Sequence, residues 1–244
     1  TNSSLFTTFV SMKSRLHLIP CPLGGENPRD VLPAPLFEVI GSLKLFFVEE
    51  LRTARRFLSK AGLKGEIDNL TLYELNEHTN QEQIEGYAKL LKKQEAGLIS
   101  EAGLPSVADP GALLVKLAHQ NDIEVVPYVG PSSLMMALMS SGMNGQCFAF
   151  AGYLPVKRQE RKARIEQLEK ISRQMNQTQI IIETPYRNDS LMADLLACCK
   201  ETTTICIAAD LTLPEQFIRT HTVADWKKSP VSIGKRPCVF VLQA

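Results

Sequence analysis

Ala96-Gly97-Leu98-Ile99-Ser100-Glu101-Ala102-Gly103-Leu104-Pro105-Ser106-Val107-Ala108-Asp109-Pro110-Gly111 changes character after its fourth residue. The first four positions are a short apolar run without polar alternation, the pattern of a strand buried on both faces. Glycines, prolines, acids and serines then crowd together. Proline restricts φ and removes a donor, while glycine admits positive φ and close approach, so Ser100 to Gly111 reads as a sharply shaped loop whose backbone faces a ligand. A helix, Ala112 to Gln120, follows. Buried strand, shaped loop and helix in that order are the repeating unit of an open parallel α/β sheet.

The same rhythm extends outward from this unit. Strands are expected at Arg15 to Cys21, Leu45 to Val48, Leu70 to Leu75 and Ile123 to Tyr128, and helices at Pro35 to Leu43, Arg52 to Ala61 and Gln81 to Lys93. After Gly130-Pro131-Ser132-Ser133 the alternation restarts. Helices are expected at Leu134 to Ser141, Arg158 to Met175 and Ser190 to Cys199, and strands at Phe148 to Gly152 and Gln179 to Glu183. Strands then dominate, at Thr204 to Ala209, Phe217 to Val223 and Cys238 to Leu242. The expected organisation is an N-terminal arm (1–14), an N-terminal α/β domain (15–128) and a C-terminal α/β domain with antiparallel strands (129–244). Two such domains leave a cleft at strand C-terminal ends, where these folds bind ligands. Thr1 to Ser14 lies outside the periodic pattern and lacks a basic n-region and cleavage signature, and Met12 is a candidate natural start.

Composition bounds the function classes. With 44% hydrophobic and 22% charged residues the chain is globular rather than disordered or fibrous. Lys plus Arg number 27 against 26 Asp plus Glu, so no global charge drives it toward nucleic acid or a membrane surface, and only a local basic patch would do so. No apolar run reaches the ~18 residues of a membrane span. Cys21, Cys147, Cys198, Cys199, Cys206 and Cys238 show no C-x-x-C or His-pair spacing. They read as reduced, buried thiols of a cytoplasmic protein, with no disulfide framework and no metal site.

The loop after the first strand, Pro20 to Gly25, is where an open α/β sheet holds a nucleotide, yet it is neither G-x-G-x-x-G nor G-x-x-x-x-G-K-[ST]. A dinucleotide or triphosphate is therefore disfavoured. A ligand held through adenine and an amino acid, without phosphates, needs no such cradle.

Pro22-Leu23-Gly24, Glu49-Glu50-Leu51-Arg52, Asn76-Glu77-His78, Ser100 to Gly111, V-G-P-S-S-L at Val129 to Leu134, G-Y-L-P-V-K at Gly152 to Lys157 and E-T-P-Y-R at Glu183 to Arg187 occur in this order. In order and spacing they resemble the tetrapyrrole methylase superfamily. Within it the chain is most similar to the branch that methylates a cytidine ribose 2′-hydroxyl of small-subunit ribosomal RNA. The resemblance covers nearly the whole chain after residue 14. It implies two α/β domains with an inter-domain cleft for S-adenosylmethionine, a homodimer, and ribosomal RNA or the small subunit as partner. Cofactor contacts carried over by position are Leu23, Gly24, Gly103, Leu104, Pro105, Val107, Ser132, Ser133, Ile182, Ala208 and Ala209. The chain departs from the branch where Glu101 stands for Asp, where Glu49-Glu50-Leu51-Arg52 stands for E-D-T-R, and where Ala209-Asp210-Leu211-Thr212-Leu213 stands for R-E-L-T-K. The donor side is kept while the acceptor side differs.

Methyl transfer from a sulfonium is an in-line displacement with a neutral leaving group, so alignment and a dry pocket are the protein's main contribution. A hydroxyl acceptor also needs a base. Candidates are Glu50, Glu101, Asp109 and Glu183, with Arg52 and Arg187 to hold a phosphate or carboxylate. The basic first half of the Lys157 to Arg173 helix is the candidate RNA contact. Methylation of a small molecule or tetrapyrrole, and a non-catalytic cofactor-binding protein, stand as alternatives.

Overall fold

The computed structural model describes residues 14–25 and 27–244, so the arm expected over 1–14 lies outside the described residues except for Ser14. The described residues divide into two compact units: residues 14–22 with 27–130, and residues 23–25 with 131–244.

In the first unit, strands β1 (Arg15–Ile19), β2 (Leu45–Val48), β3 (Thr71–Glu74), β4 (Ala96–Ile99) and β5 (Glu124–Pro127) form one parallel sheet in the order β3-β2-β4-β1-β5. Helices α1 (Ala34–Ser42), α2 (Leu51–Leu58), α3 (Gln81–Leu91) and α4 (Gly111–Gln120) connect the strands. β2 and β4 are buried at every residue, which is why they read as unbroken apolar runs. Phe37, Ile40 and Leu58 of α1 and α2 pack on Ile19, Phe46 and Val48 on one face. Ile84, Leu91 and Leu114 of α3 and α4 pack on Leu16, Phe47 and Leu98 on the other. Gly97 is forced by this packing: a Cβ there would lie 2.6 Å from the Phe46 ring and 2.8 Å from Ile19. The chain leaves β1 toward β2 but leaves β4 across β1 toward β5. The adjacent C-terminal ends of β1 and β4 are thus a topological switch point, the usual ligand site of such sheets.

In the second unit, β6 (Phe148–Tyr153), β7 (Thr178–Ile182), β8 (Thr204–Ala209), β9 (Phe217–Thr222) and β10 (Cys238–Gln243) form a sheet in the order β6-β7-β10-β8-β9. Only β6 and β7 are parallel. Helix α5 (Ser133–Ser141) covers one face through Leu134, Ala137 and Leu138, against Ile180, Cys206, Val239 and Val241. On the other face α6 (Arg158–Met175) and α7 (Asn188–Cys198) bring Ile165, Leu168, Leu191 and Leu195 against Ile181, Ile207 and Phe240. The strand expected through Val223 stops at Thr222 and a short helix, α8 (Val223–Lys228), replaces its end. The Thr222 side chain caps α8 by accepting from the Asp225 N–H, and the buried Trp226 donates its indole N–H to Ile205 O at 2.9 Å.

No helix of the described residues is long and apolar enough to cross a membrane. The six cysteines are unpaired, and no metal-holding cluster of three or more His, Cys, Asp or Glu occurs among the described residues.

Candidate functional site

At the switch point of the first unit the two departing loops are tied together. Cys21 N–H donates to Gly103 O at 2.8 Å and Gly103 N–H to Cys21 O at 3.0 Å. Gly103 has φ +72, open to glycine at little cost. Ser106 (φ +66) and Ala108 (φ +63) adopt the left-handed region without that freedom, at ~1–2 kcal/mol each. Asp109 holds them there: its carboxylate accepts from Ser106 N–H at 2.8 Å and Gly111 N–H at 2.7 Å. Burial pushes the Asp109 carboxyl up, against the pull of those two bonds. Asp109 is thus the staple of the loop. Of the expected cofactor residues, Gly103 and Pro105 are buried, Leu104 is half-buried and Val107 is exposed.

Beside this loop three acids converge. Glu50 is the N-cap of α2, its carboxylate accepting from Arg52 N–H at 2.9 Å and Thr53 N–H at 2.6 Å, and these bonds hold its pKa below the ordinary value. Glu101 donates its N–H to Glu49 Oε2 at 3.0 Å. Burial pushes the Glu101 carboxyl up, and the negative charges of Glu49 and Glu50 push it further. Glu49 was not singled out by its residue type, because its meeting with Glu101 arises only when β2 and β4 pair. An open cleft of about 770 Å³ lies along these strand ends, lined by Glu49, Asn76, His78, Ser106 and Asp109 among others.

In the second unit Val239 pairs with both Ile182 and Ala208, so the three stand in one row across the sheet. They belong to the apolar cluster under α5, and Leu23 packs on the same cluster. Gly24 sits tightly beside it, where a Cβ would lie 3.0 Å from the Leu213 side chain. Ser132 caps α5, its hydroxyl oxygen accepting from Met135 N–H at 3.4 Å, which leaves its O–H free to donate; Ser133 is the first helical residue. Leu23, Ser132, Ile182 and Ala208 therefore cluster at one face, whereas the Ala209 side chain lies in the opposite core with Ile207. On this face of the second unit an apolar wall, a free hydroxyl and a tight glycine, with no phosphate cradle, fit a cofactor made of adenine, ribose and a sulfonium amino acid.

The Glu183 side chain is fully buried. Its Oε1 accepts from Thr184 N–H at 2.7 Å and from Arg187 Nε at 2.9 Å, while Oε2 has no protein partner. The pair ties Arg187 back onto the end of β7. On α6, Arg161 is only 4% exposed and shares buried Asp194 with Arg158, at 2.8 and 3.1 Å. Arg161 forms a core ion pair, which removes it from the RNA contact expected of the helix's basic first half.

The family model described as Tetrapyrrole (Corrin/Porphyrin) Methylases matches residues 29–226. The chain is 28% identical to "Ribosomal RNA small subunit methyltransferase I" of Escherichia coli O157:H7, over 95% of this chain and 78% of that protein. It is 32% identical to the protein of the same name from Mesorhizobium japonicum, over 87% and 68%. Among solved structures it is similar to diphthine synthase (TM-score 0.67, 15% identity, 94% and 89% covered). It is also similar to a uroporphyrin-III C-methyl transferase from Thermus thermophilus complexed with S-adenosyl homocysteine (TM-score 0.56, 14% identity, 94% and 97% covered). The last two likenesses show the fold, and the family match together with the relatives shows that the chain belongs to the tetrapyrrole (corrin/porphyrin) methylase family, on the branch of the ribosomal RNA small subunit methyltransferases.

Proposed function

We propose that this S-adenosylmethionine-dependent methyltransferase methylates a ribose 2′-hydroxyl of small-subunit ribosomal RNA, in the cytoplasm and as a homodimer. The bound cofactor supplies an electrophilic methyl group on a sulfonium. Leu23, Gly24, Gly103, Leu104, Pro105, Val107, Ser132, Ser133, Ile182, Ala208 and the backbone of Ala209 are proposed to hold and orient it. The observation that carries the ribose reading is the convergence of Glu101 with Glu49 and Glu50 at the strand ends, where Glu101 donates its N–H to Glu49 Oε2 at 3.0 Å and partial burial with the two neighbouring charges raises its otherwise exposed carboxyl. A ring nitrogen attacks through its lone pair, whereas a hydroxyl must lose a proton as it attacks. A carboxylate made more basic than usual suits that task. Glu101 is accordingly assigned as the base. Glu50 is committed to capping α2 and Glu183 to holding Arg187, so these acids and Arg187 serve by positioning.

The relatives' shared name supports the RNA acceptor. The homodimer is supported by apolar side chains left in solvent on one side of the second unit. Met139 is 81% and Met135 41% exposed on α5, and Phe148 and Phe150 on edge strand β6 share with Ile180 the sheet face on which α5 lies. Nucleoside mass mapping of 16S-type RNA from cells with and without the gene tests the function. Loss of one 2′-O-methylated nucleoside is expected, and an unchanged methylation pattern overturns the reading.

A further inference from the structure

Tyr186 is 80% exposed, yet it stands on one of the most heavily fastened turns of the second unit. Pro185–Arg187 form a single 3₁₀ turn at the end of β7, closed by Arg187 N–H donating to Thr184 O at 2.9 Å. Below it the buried Glu183 grips Thr184 and Arg187. Beyond it Asn188, fully buried, donates to Gly234 O at 3.0 Å and Arg236 O at 2.7 Å. Asp189 accepts from Ile233 N–H at 2.7 Å. These bonds latch the 183–189 segment to the 232–237 loop and bring Lys235 Nζ to 5.0 Å from the Tyr186 ring centroid. Lys235 makes no ion pair with a carboxylate among the described residues, so its charge stays available.

A large aromatic ring held out in water by a rigid turn contributes nothing to the core, and no packing in the unit uses it. Its π-face, backed by an ammonium, suits a flat, electron-rich, anionic partner. Unpaired nucleotides have that chemistry: the base stacks on the ring and the phosphate meets the cation. An acidic peptide would use the lysine but not the open ring face.

We propose that Tyr186 and Lys235 form a stacking platform for an unpaired nucleotide of the RNA acceptor, with Lys235 facing its phosphate. The inference rests on the RNA reading above. The platform needs no conformational ordering on binding, because the turn is already fixed by Glu183, Asn188 and Asp189, so little affinity is lost to entropy. It binds any base, and the choice of the methylated nucleotide falls to contacts elsewhere.

The test uses the purified chain and a fluorescein-labelled single-stranded RNA oligonucleotide, with binding read by anisotropy across a salt series. Tyr186→Ala should weaken binding roughly tenfold or more, Tyr186→Phe should stay within about twofold, and Tyr153→Ala, another exposed tyrosine, should have no effect. Lys235→Ala should reduce the slope of log affinity against log salt by about 0.7, the value for one phosphate contact on a single strand. Retained S-adenosylhomocysteine binding by calorimetry shows that each variant is folded. Equal affinity of Tyr186→Ala and wild type overturns the platform while leaving the RNA reading intact, whereas wild type that binds no RNA overturns the acceptor assignment itself. Loss of self-association in Tyr186→Ala with RNA affinity unchanged also overturns it, assigning the surface to a protein partner.

Discussion

Glu101 and Gly103, two residues apart, divide the work of the shaped loop between chemistry and form. Because burial and the charges of Glu49 and Glu50 raise the Glu101 carboxyl, it ionises at a higher pH than an ordinary glutamate. A base works only when ionised, so methylation should rise with pH through that raised pKa and then level. Glu101→Gln should lower kcat by roughly 10²–10⁴ and abolish this acidic limb. Glu49→Gln removes one repelling charge and should move the limb to lower pH without a comparable loss of kcat. Both are read from pH profiles of methyl transfer with radiolabelled donor, and a Glu101→Gln enzyme of wild-type rate and profile would sink the assignment. At Gly103 the φ of +72 and the two bonds to Cys21 leave a β-branched residue no comfortable conformation. Gly103→Val should therefore lose S-adenosylhomocysteine binding in calorimetry. Gly142→Ala, with φ +74 but nothing within 4 Å of an added Cβ, should incur only the backbone cost and bind normally. The shape of this loop was legible because glycine and proline declare their dihedral freedom by type. The meeting of Glu49 with Glu101 was not, since 52 residues separate them and only strand pairing joins them.

Among elements, α6 shows how a charged helix can hide a structural pair. The Lys and Arg of its first half read as an RNA contact, and spacing alone does not tell which cation turns inward; Arg161 does, beside Ile165 and Leu168. Asp194 of α7, 1% exposed, is opposed by burial, but bonds from Arg161 and Arg158 prevail and hold its pKa below the ordinary aspartate value. Asp194→Asn leaves the Arg161 guanidinium buried without its counter-charge and should cost about 3–5 kcal/mol in urea unfolding. The sign of the pH effect follows from the depressed pKa: the pair's contribution is complete above the unfolded aspartate value near ~4 and is lost as pH falls through the lower folded value. The wild type should thus lose stability between those values more steeply than Asp194→Asn. Helix α8 escaped detection for another reason. Six residues are too few to display a helical period, and Val223 reads as naturally in the preceding strand; only the Thr222 cap and the Trp226 bond distinguish it.

At the scale of the molecule, the alternation of elements was readable because central strands of both sheets carry apolar runs between turn-forming residues, as at Leu45–Val48, Ala96–Ile99 and residues 238–242 of β10. Strand order was less so: β10, last in the chain, enters between β7 and β8, and nothing local in C-V-F-V-L-Q names those neighbours. What the second unit leaves uncovered then points to assembly. Met135 and Met139 are one helical turn apart on α5, a polarizable apolar pair that adapts to a partner surface, and Phe148 and Phe150 extend the apolar character along an edge strand. Exposing such side chains is unfavourable in a monomer and becomes favourable when two copies bury them, at about 25 cal/mol per Å². Met139→Glu places a charge in that surface while leaving the core face of α5, Leu134, Ala137 and Leu138, intact. Sedimentation of the wild type should give twice the chain mass, 27.1 kDa for one copy, and Met139→Glu should shift it toward the single-copy value with unchanged circular dichroism. A variant that sediments as the wild type does would place the interface elsewhere, and a wild type of single-copy mass would remove the dimer from the proposed function.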